Sequence, residues 1–278
     1  MDNFIDFKEV KMRYNLKLTE EGYWVPSNII DSVPLRTGEA YQLLCKAGWF
    51  VRNTYNFDKP EATSFWYVIK DSFGGMEELS SKKRNQVRKS LRTYDFRVID
   101  SRIMSNLGFD IENRARAHYS VKISQMAKEE FASRLERERK EGGYEYWGIY
   151  KKGTQEMVGF SINRVMYGYC FYEYIRIEPE CLGNTYPYYG LFFSMNQYYL
   201  EEKKLKFVSD GSRSITEHSN IQPFLIDTFK FRKAYCDLQV EYKWWLSFFV
   251  NLLYPFKKYM PMKVKAVLNL EAMRRGEK

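Results

Sequence analysis

Residues 169–211 read YCFYEYIRIEPECLGNTYPYYGLFFSMNQYYLEEKKLKFVSDG, and their order decides the fold class. Tyr169 to Ile177 is aromatic and β-branched, a composition that fits a pleated, half-buried surface, and Pro179 closes it. After a polar turn at Glu180 to Thr185, Leu191, Phe192, Met195, Tyr198 and Tyr199 recur at helical spacing up to Glu202. Phe207 and Val208 form a short β-prone run that ends at Ser209-Asp210-Gly211. Asn220 to Phe229 then reads as a second helix and Phe231 to Tyr242 as a further strand. Strands with interleaved helices and short turns predict an α/β (α+β) chain with ligands where strands hand over to helices. Chemistry is therefore expected around the C-terminal end of the 169–177 strand.

Upstream, Ser64 to Lys70 is a strand candidate ended by Asp71 and Gly74-Gly75. Ser80 and Ser81 offer hydroxyl caps to a helix from Lys82 to Leu91. Val87, Leu91 and Tyr94 make its apolar stripe, while Lys82, Lys83, Arg84, Arg88, Lys89 and Arg92 cover the rest. That face reads either as a phosphate-binding surface or as a solvated one. Phe96 to Ile99 reads as a strand, Asp110 to Met126 and Lys128 to Lys140 as helices, and Tyr146 to Tyr150 with Met157 to Met166 as a hairpin. In the first 60 residues only a short helix at Glu39 to Ala47 and a strand at Trp49 to Val51 stand out. The order suggests a smaller N-terminal α/β lobe over 1–105, a main lobe over 106–245 and a C-terminal helical extension over 246–278. The extension begins with WWLSFFVNLLYPF (Trp244 to Phe256), too short for the ~20 residues a bilayer span needs. With Lys257, Lys258, Lys263 and Lys265 behind it, this run reads as a docked helix or as one lying on a membrane surface.

A net charge of +9 suits a phosphorylated cofactor, RNA or an acidic surface, and equally a soluble basic surface. Four irregularly spaced cysteines and two histidines give no metal-ligand pattern, so no metal is expected. The first residues, MDNFIDFKEV, lack an apolar signal core, and a cytoplasmic protein without a transmembrane segment is expected.

The order helix, helix, hairpin, central strand, helix, strand, helix, strand resembles the GNAT acyltransferase superfamily. Leu79 to Lys89 (LSSKKRNQVRK) is similar to the basic segment of the Fem-type aminoacyltransferases, and Asn220 to Tyr235 resembles the closing helix and its continuation. The likeness spans residues 64–242. It implies a mixed, mostly antiparallel sheet flanked by helices. It also implies an acyl-CoA co-substrate such as acetyl-CoA and an amine acceptor, small molecule or peptide. The Fem-type branch implies a charged tRNA as donor instead, with its phosphates on the basic helix. A non-catalytic binding module on the same fold is the third reading.

The resemblance also assigns roles. The central strand should splay from its neighbour, so that backbone groups near Ile175 and Ile177 hold the pantetheine arm. The family's diphosphate loop maps onto Thr185, Tyr188 and Gly190, of which only Gly190 has the family's residue type. Asn220 is a further cofactor contact. The tyrosine that serves as thiolate acid maps near Leu225 or Ile226, which cannot donate a proton, leaving Tyr235, Tyr172 and Tyr174 as replacements. Among the residues themselves, Glu173 is the first choice of base. Alternation puts it on the face of Ile175, among tyrosines that would raise its pKa; the alternative is an ion pair with Arg164 or Arg176. Asp210 is the second choice, with a turn role as alternative, and His218 lies near the same edge. No Ser-His-Asp or Cys-His spacing is present, which favours direct transfer.

Overall fold

The computed structural model describes residues 7–118, 124–215 and 221–277. Asn220 and His218 therefore lie outside the described residues. In chain order the elements are α1 (Phe7–Arg13), β1 (Leu16–Leu18), β2 (Trp24–Pro26), α2 (Glu39–Lys46), β3 (Phe50–Lys59), β4 (Phe65–Lys70), α3 (Ser81–Thr93) and β5 (Tyr94–Ile99). Helices α4 (Ser101–Ala117) and α5 (Lys128–Glu141) follow, then strands β6 (Tyr144–Lys151), β7 (Met157–Met166) and β8 (Tyr169–Ile177). The chain closes with α6 (Pro187–Asn196), β9 (Phe207–Ser212), α7 (Ile221–Phe229), β10 (Arg232–Tyr242), α8 (Trp244–Leu253) and α9 (Met262–Arg274). Together they give the mixed, mostly antiparallel sheet with flanking helices that the GNAT resemblance predicts.

Contacts divide the chain into two compact units, and the division does not follow sequence order. The first comprises Met1–Val68, Ser212–Asn220 and Lys233–Lys278. Its organiser is β10, which returns to pair antiparallel with β3 from Tyr235↔Lys59 to Tyr242↔Phe50. The C-terminal elements therefore belong with the N-terminal ones rather than forming an extension of their own. Val10, Trp24, Leu43 and Val51 form the core of this unit, beside a buried Glu39 that accepts from Arg13 Nη1 at 2.9 Å and from the Tyr14 hydroxyl.

The second unit comprises Ile69–Gly211 and Ile221–Arg232, and so contains the basic helix that sequence order had assigned to the N-terminal lobe. Its strands run in the order β9-β8-β7-β6-β5. Helices α4 and α5 cover one cluster, in which Met104, Ile111, Phe131, Phe160 and Ile162 are buried. In α6, Leu191, Phe192 and Met195 are buried as their spacing predicts, and the helix continues as a π-helical turn at Gln197–Glu202. One boundary is corrected. The expected helix over 110–126 is α4 over 101–117, because Asp100 caps it, its Oδ1 accepting from Arg102 N at 2.7 Å. Among the described residues no helix is long and apolar enough to cross a membrane.

Candidate functional site

Strand β8 is where the second unit opens. It pairs in parallel with β9 through Tyr169↔Phe207, Cys170↔Val208 and Phe171↔Ser209, and this register stops at Phe171, six residues short of the strand's end at Ile177. On its other edge β8 stays bonded to β7 as far as Gly159↔Ile177. The two strands thus part, and Ile175 and Ile177 lie beyond the last residue of β8 paired with β9. An extended edge left without a ladder partner keeps backbone N–H and C=O groups for a ligand.

The register of β8 against β7 slips between Ile162↔Tyr174 and Asn163↔Tyr172, which makes Glu173 the extra residue of a bulge. The bulge sends the flanking tyrosines to different helices. The Tyr172 hydroxyl donates to Asn196 Oδ1 of α6 at 2.9 Å, whereas that of Tyr174 donates to Glu112 of α4. The alternation used to set Glu173 beside Ile175 does not survive this slip. Glu173 is exposed, so the apolar surroundings expected to raise its pKa are absent. Its charge acts on Tyr144, whose phenol is pushed up by burial and then by Glu173. Burial also holds the Tyr172 phenol well above its ordinary range, and both tyrosine hydroxyls are engaged in the fold.

Asp210 follows Ser209, the last β9 residue paired with β8, and so stands at the crotch of the fork. The turn role is filled by its neighbour: Ser209 Oγ accepts from Gly211 N at 3.0 Å. Burial raises the Asp210 carboxyl from 3.8 to about 7, against a weaker opposing hydrogen bond from Gln222 of α7. A carboxyl balanced between its two protonation states near neutral pH can accept a proton and return it. Tyr235 falls in the first unit, edge-on to Trp66 at a ring separation of 6.1 Å and beside a register shift in β10.

The start of α6 is built for packing. Tyr186 caps it at φ 54°, and Pro187 contributes no N–H. The N–H of Tyr189 donates to Tyr186 O at 2.9 Å, and that of Gly190 to Ser90 Oγ at 3.2 Å. A Cβ on Gly190 would meet Phe96 Cε2 and Ser90 Oγ, both at 2.4 Å, so this glycine is required by the close approach of α3 and β5. Thr185 donates to Cys181 O at 2.8 Å and accepts from the Tyr94 hydroxyl at 2.8 Å, while Tyr188 stacks on Phe192 at 6.4 Å. The positive charge here comes from side chains instead. Lys83 Nζ donates to the Tyr189 hydroxyl at 3.0 Å, and Lys89 Nζ lies 5.7 Å from the Tyr186 ring centre. Lys82, Arg88, Lys89 and Arg92 are exposed on α3, with Val87, Ser90 and Tyr94 buried beneath.

Sequence reasoning did not find three participants. Gln222 of α7 hydrogen-bonds Asp210 across a stretch of chain that gives no local signal of the pairing. The bulge at Glu173 has no Gly or Pro to announce it. Glu112 is fully buried and tied to Arg116 and, at 3.2 Å, to Arg176 Nε, an anchor for the open end of β8 that lies 64 residues downstream. A glutamate on an otherwise apolar helix stripe was the one available signal.

No family model and no curated protein matches the sequence. Among solved structures, FemX superposes with a TM-score of 0.50 at 8% identity, over 69% of this chain and 71% of that one. L-PGS from Bacillus licheniformis covers 95% of this chain and 85% of its own at 13% identity and a TM-score of 0.49. The PaiA N-acetyltransferase from Thermoplasma acidophilum, solved in complex with coenzyme A, covers 41% of this chain and 75% of its own at 11% identity and a TM-score of 0.32. The likeness to FemX is one of fold: this chain shares its mixed α/β architecture.

Proposed function

We propose that the second unit forms amide bonds by direct attack of an amine on an acyl ester at the β8–β9 fork, with Asp210 as base. The observation that carries this reading is a largely buried carboxyl where two strands part. The Asp210 carboxylate takes the proton of the attacking amine, and the new N–C bond forms as the carbonyl becomes an oxyanion. The backbone N–H groups of Ile175 and Ile177, beyond the β8–β9 pairing, are the donors proposed for that oxygen. Collapse breaks the ester C–O bond, and the proton held at Asp210 leaves on the departing oxygen. The acceptor is a small-molecule or peptide amine.

The donor follows from the start of α6. A coenzyme A diphosphate on this fold requires free first-turn amides and an open glycine, and here the Tyr189 and Gly190 amides are bonded and Gly190 is packed. These residues do not fit that cofactor, and no step is routed through it. Exposed cations on α3 beside α6 suit a longer phosphate backbone, so the Fem-type donor, a charged tRNA, is the better match. Such a donor implies work in the cytoplasm.

The test is a comparison of donors. Filter binding should detect tRNA, with affinity falling about tenfold or more between roughly 50 and 200 mM salt. Thermal shift should show no response to coenzyme A or acetyl-CoA. A salt-insensitive response to coenzyme A alone would return the reading to an acyl-CoA N-acyltransferase. Silence toward both would favour a binding module without chemistry.

A further inference from the structure

The C-terminal part of the first unit carries a surface that the transfer reaction does not use. Helix α8 buries only Val250, while Trp244 is 80% exposed, Phe248 63% and Leu252 54%. Those three recur every four residues and so line one face of the helix. Phe249, Phe256, Tyr259 and Met262 extend the exposed apolar surface through the 3-10 turn Tyr254–Tyr259 to the start of α9. At ~200 Å² per large side chain these seven residues expose on the order of 800 Å², above the roughly 300–600 Å² of a typical largest patch. Next to it a groove of about 630 Å³ is walled by Tyr41, Leu44, Trp244 and Trp245, with Arg36 and Lys243 at its border.

Charge decides what covers this face. From Lys243 to Leu270 the chain has five lysines (Lys243, Lys257, Lys258, Lys263, Lys265) and no aspartate or glutamate. Lys257 is engaged with Glu277 at 2.9 Å, whereas Lys258 and Lys263 are exposed on the same segment. A second copy docked by two-fold symmetry would bring this cationic rim against itself. Large aromatics on one side, flanked by lysines, match the interface of an anionic bilayer, where such helices sink their apolar face ~5–10 Å. At 10 residues α8 can lie in that plane but cannot span it.

We propose that α8, the following 3-10 turn and the start of α9 dock the protein on the surface of an anionic phospholipid membrane. Co-sedimentation of the full chain with vesicles tests this, using phosphatidylcholine alone and phosphatidylcholine containing ~30% phosphatidylglycerol. Binding is expected to the mixed vesicles and to be at least about tenfold weaker to the neutral ones. The W244S/F248S/L252S variant should lose binding, and K258E/K263E should lose the preference for anionic lipid while keeping the wild-type melting temperature. Equal binding to both vesicle types would overturn the proposal, as would wild-type binding by either variant. Light scattering that shows a dimer of the wild type, made monomeric by the serine variant, would assign the face to a second copy instead.

Discussion

Asp210→Asn should make the protein more stable and inactive at once, and the pH dependence of the gain identifies the cause. In the unfolded chain the carboxyl titrates near 3.8, and in the fold near 7, because burial disfavours its charge. Between those values the folded state keeps a proton that the unfolded state has released. Stability therefore falls as pH rises through that window, and the full cost stands above about 7. At about 1.4 kcal/mol per pKa unit, a shift of about three units sets a ceiling of about 4 kcal/mol, which water access reduces to about 2. Asparagine keeps the shape and can still bond Gln222, yet never ionises. Thermal melts should show D210N ahead by about 4–8 °C at pH 8.5 and level with the wild type below pH 4. Transfer should fall by about 100-fold or more. A melting temperature that is lower at pH 8.5, or a gain that does not change with pH, would mean that the carboxyl is ionised in a stabilising pair, and Asp210 would no longer qualify as the base.

Other substitutions test the surrounding assignments. Glu173→Gln should leave turnover within about twofold, because the side chain is exposed; a large loss would restore Glu173 as base. Gly190→Ala should cost about 1–3 kcal/mol in urea unfolding, since its Cβ has 2.4 Å to Phe96 and Ser90. Replacing Lys82, Arg88 and Arg92 together by alanine should flatten the salt dependence of tRNA binding by about one unit of slope per lost phosphate contact, with the melting temperature unchanged. Glu112→Ala should destabilise by about 3 kcal/mol, because two half-buried guanidiniums, Arg116 and Arg176, would lose their shared carboxylate.

What the sequence revealed and what it hid divide along a physical line. Many elements of the second unit follow from periodicity: the aromatic run that becomes β8, the helical spacing of Leu191, Phe192 and Met195, and the basic helix all form as read, although no serine side chain caps that helix. These signals are local, set by which side chains a few neighbouring residues present to a core. The grouping of elements was not legible, because β10 finds β3 across 176 to 192 residues of chain, and no local pattern encodes a partner that distant. The surroundings of Glu173 were misread for a related reason. Period-2 alternation holds only in an unbroken ladder, and the slip between Tyr172 and Tyr174 is visible only once β7 lies alongside. Asp210 carried a weak signal in sequence, a turn aspartate beside glycine. Its side-chain partner Gln222 lies on α7, which the chain reaches only after β9 has ended. A carboxyl's proton affinity depends on what surrounds it in space, so sequence can nominate Asp210 and Glu173 alike, and only the burial of one and the exposure of the other separate them.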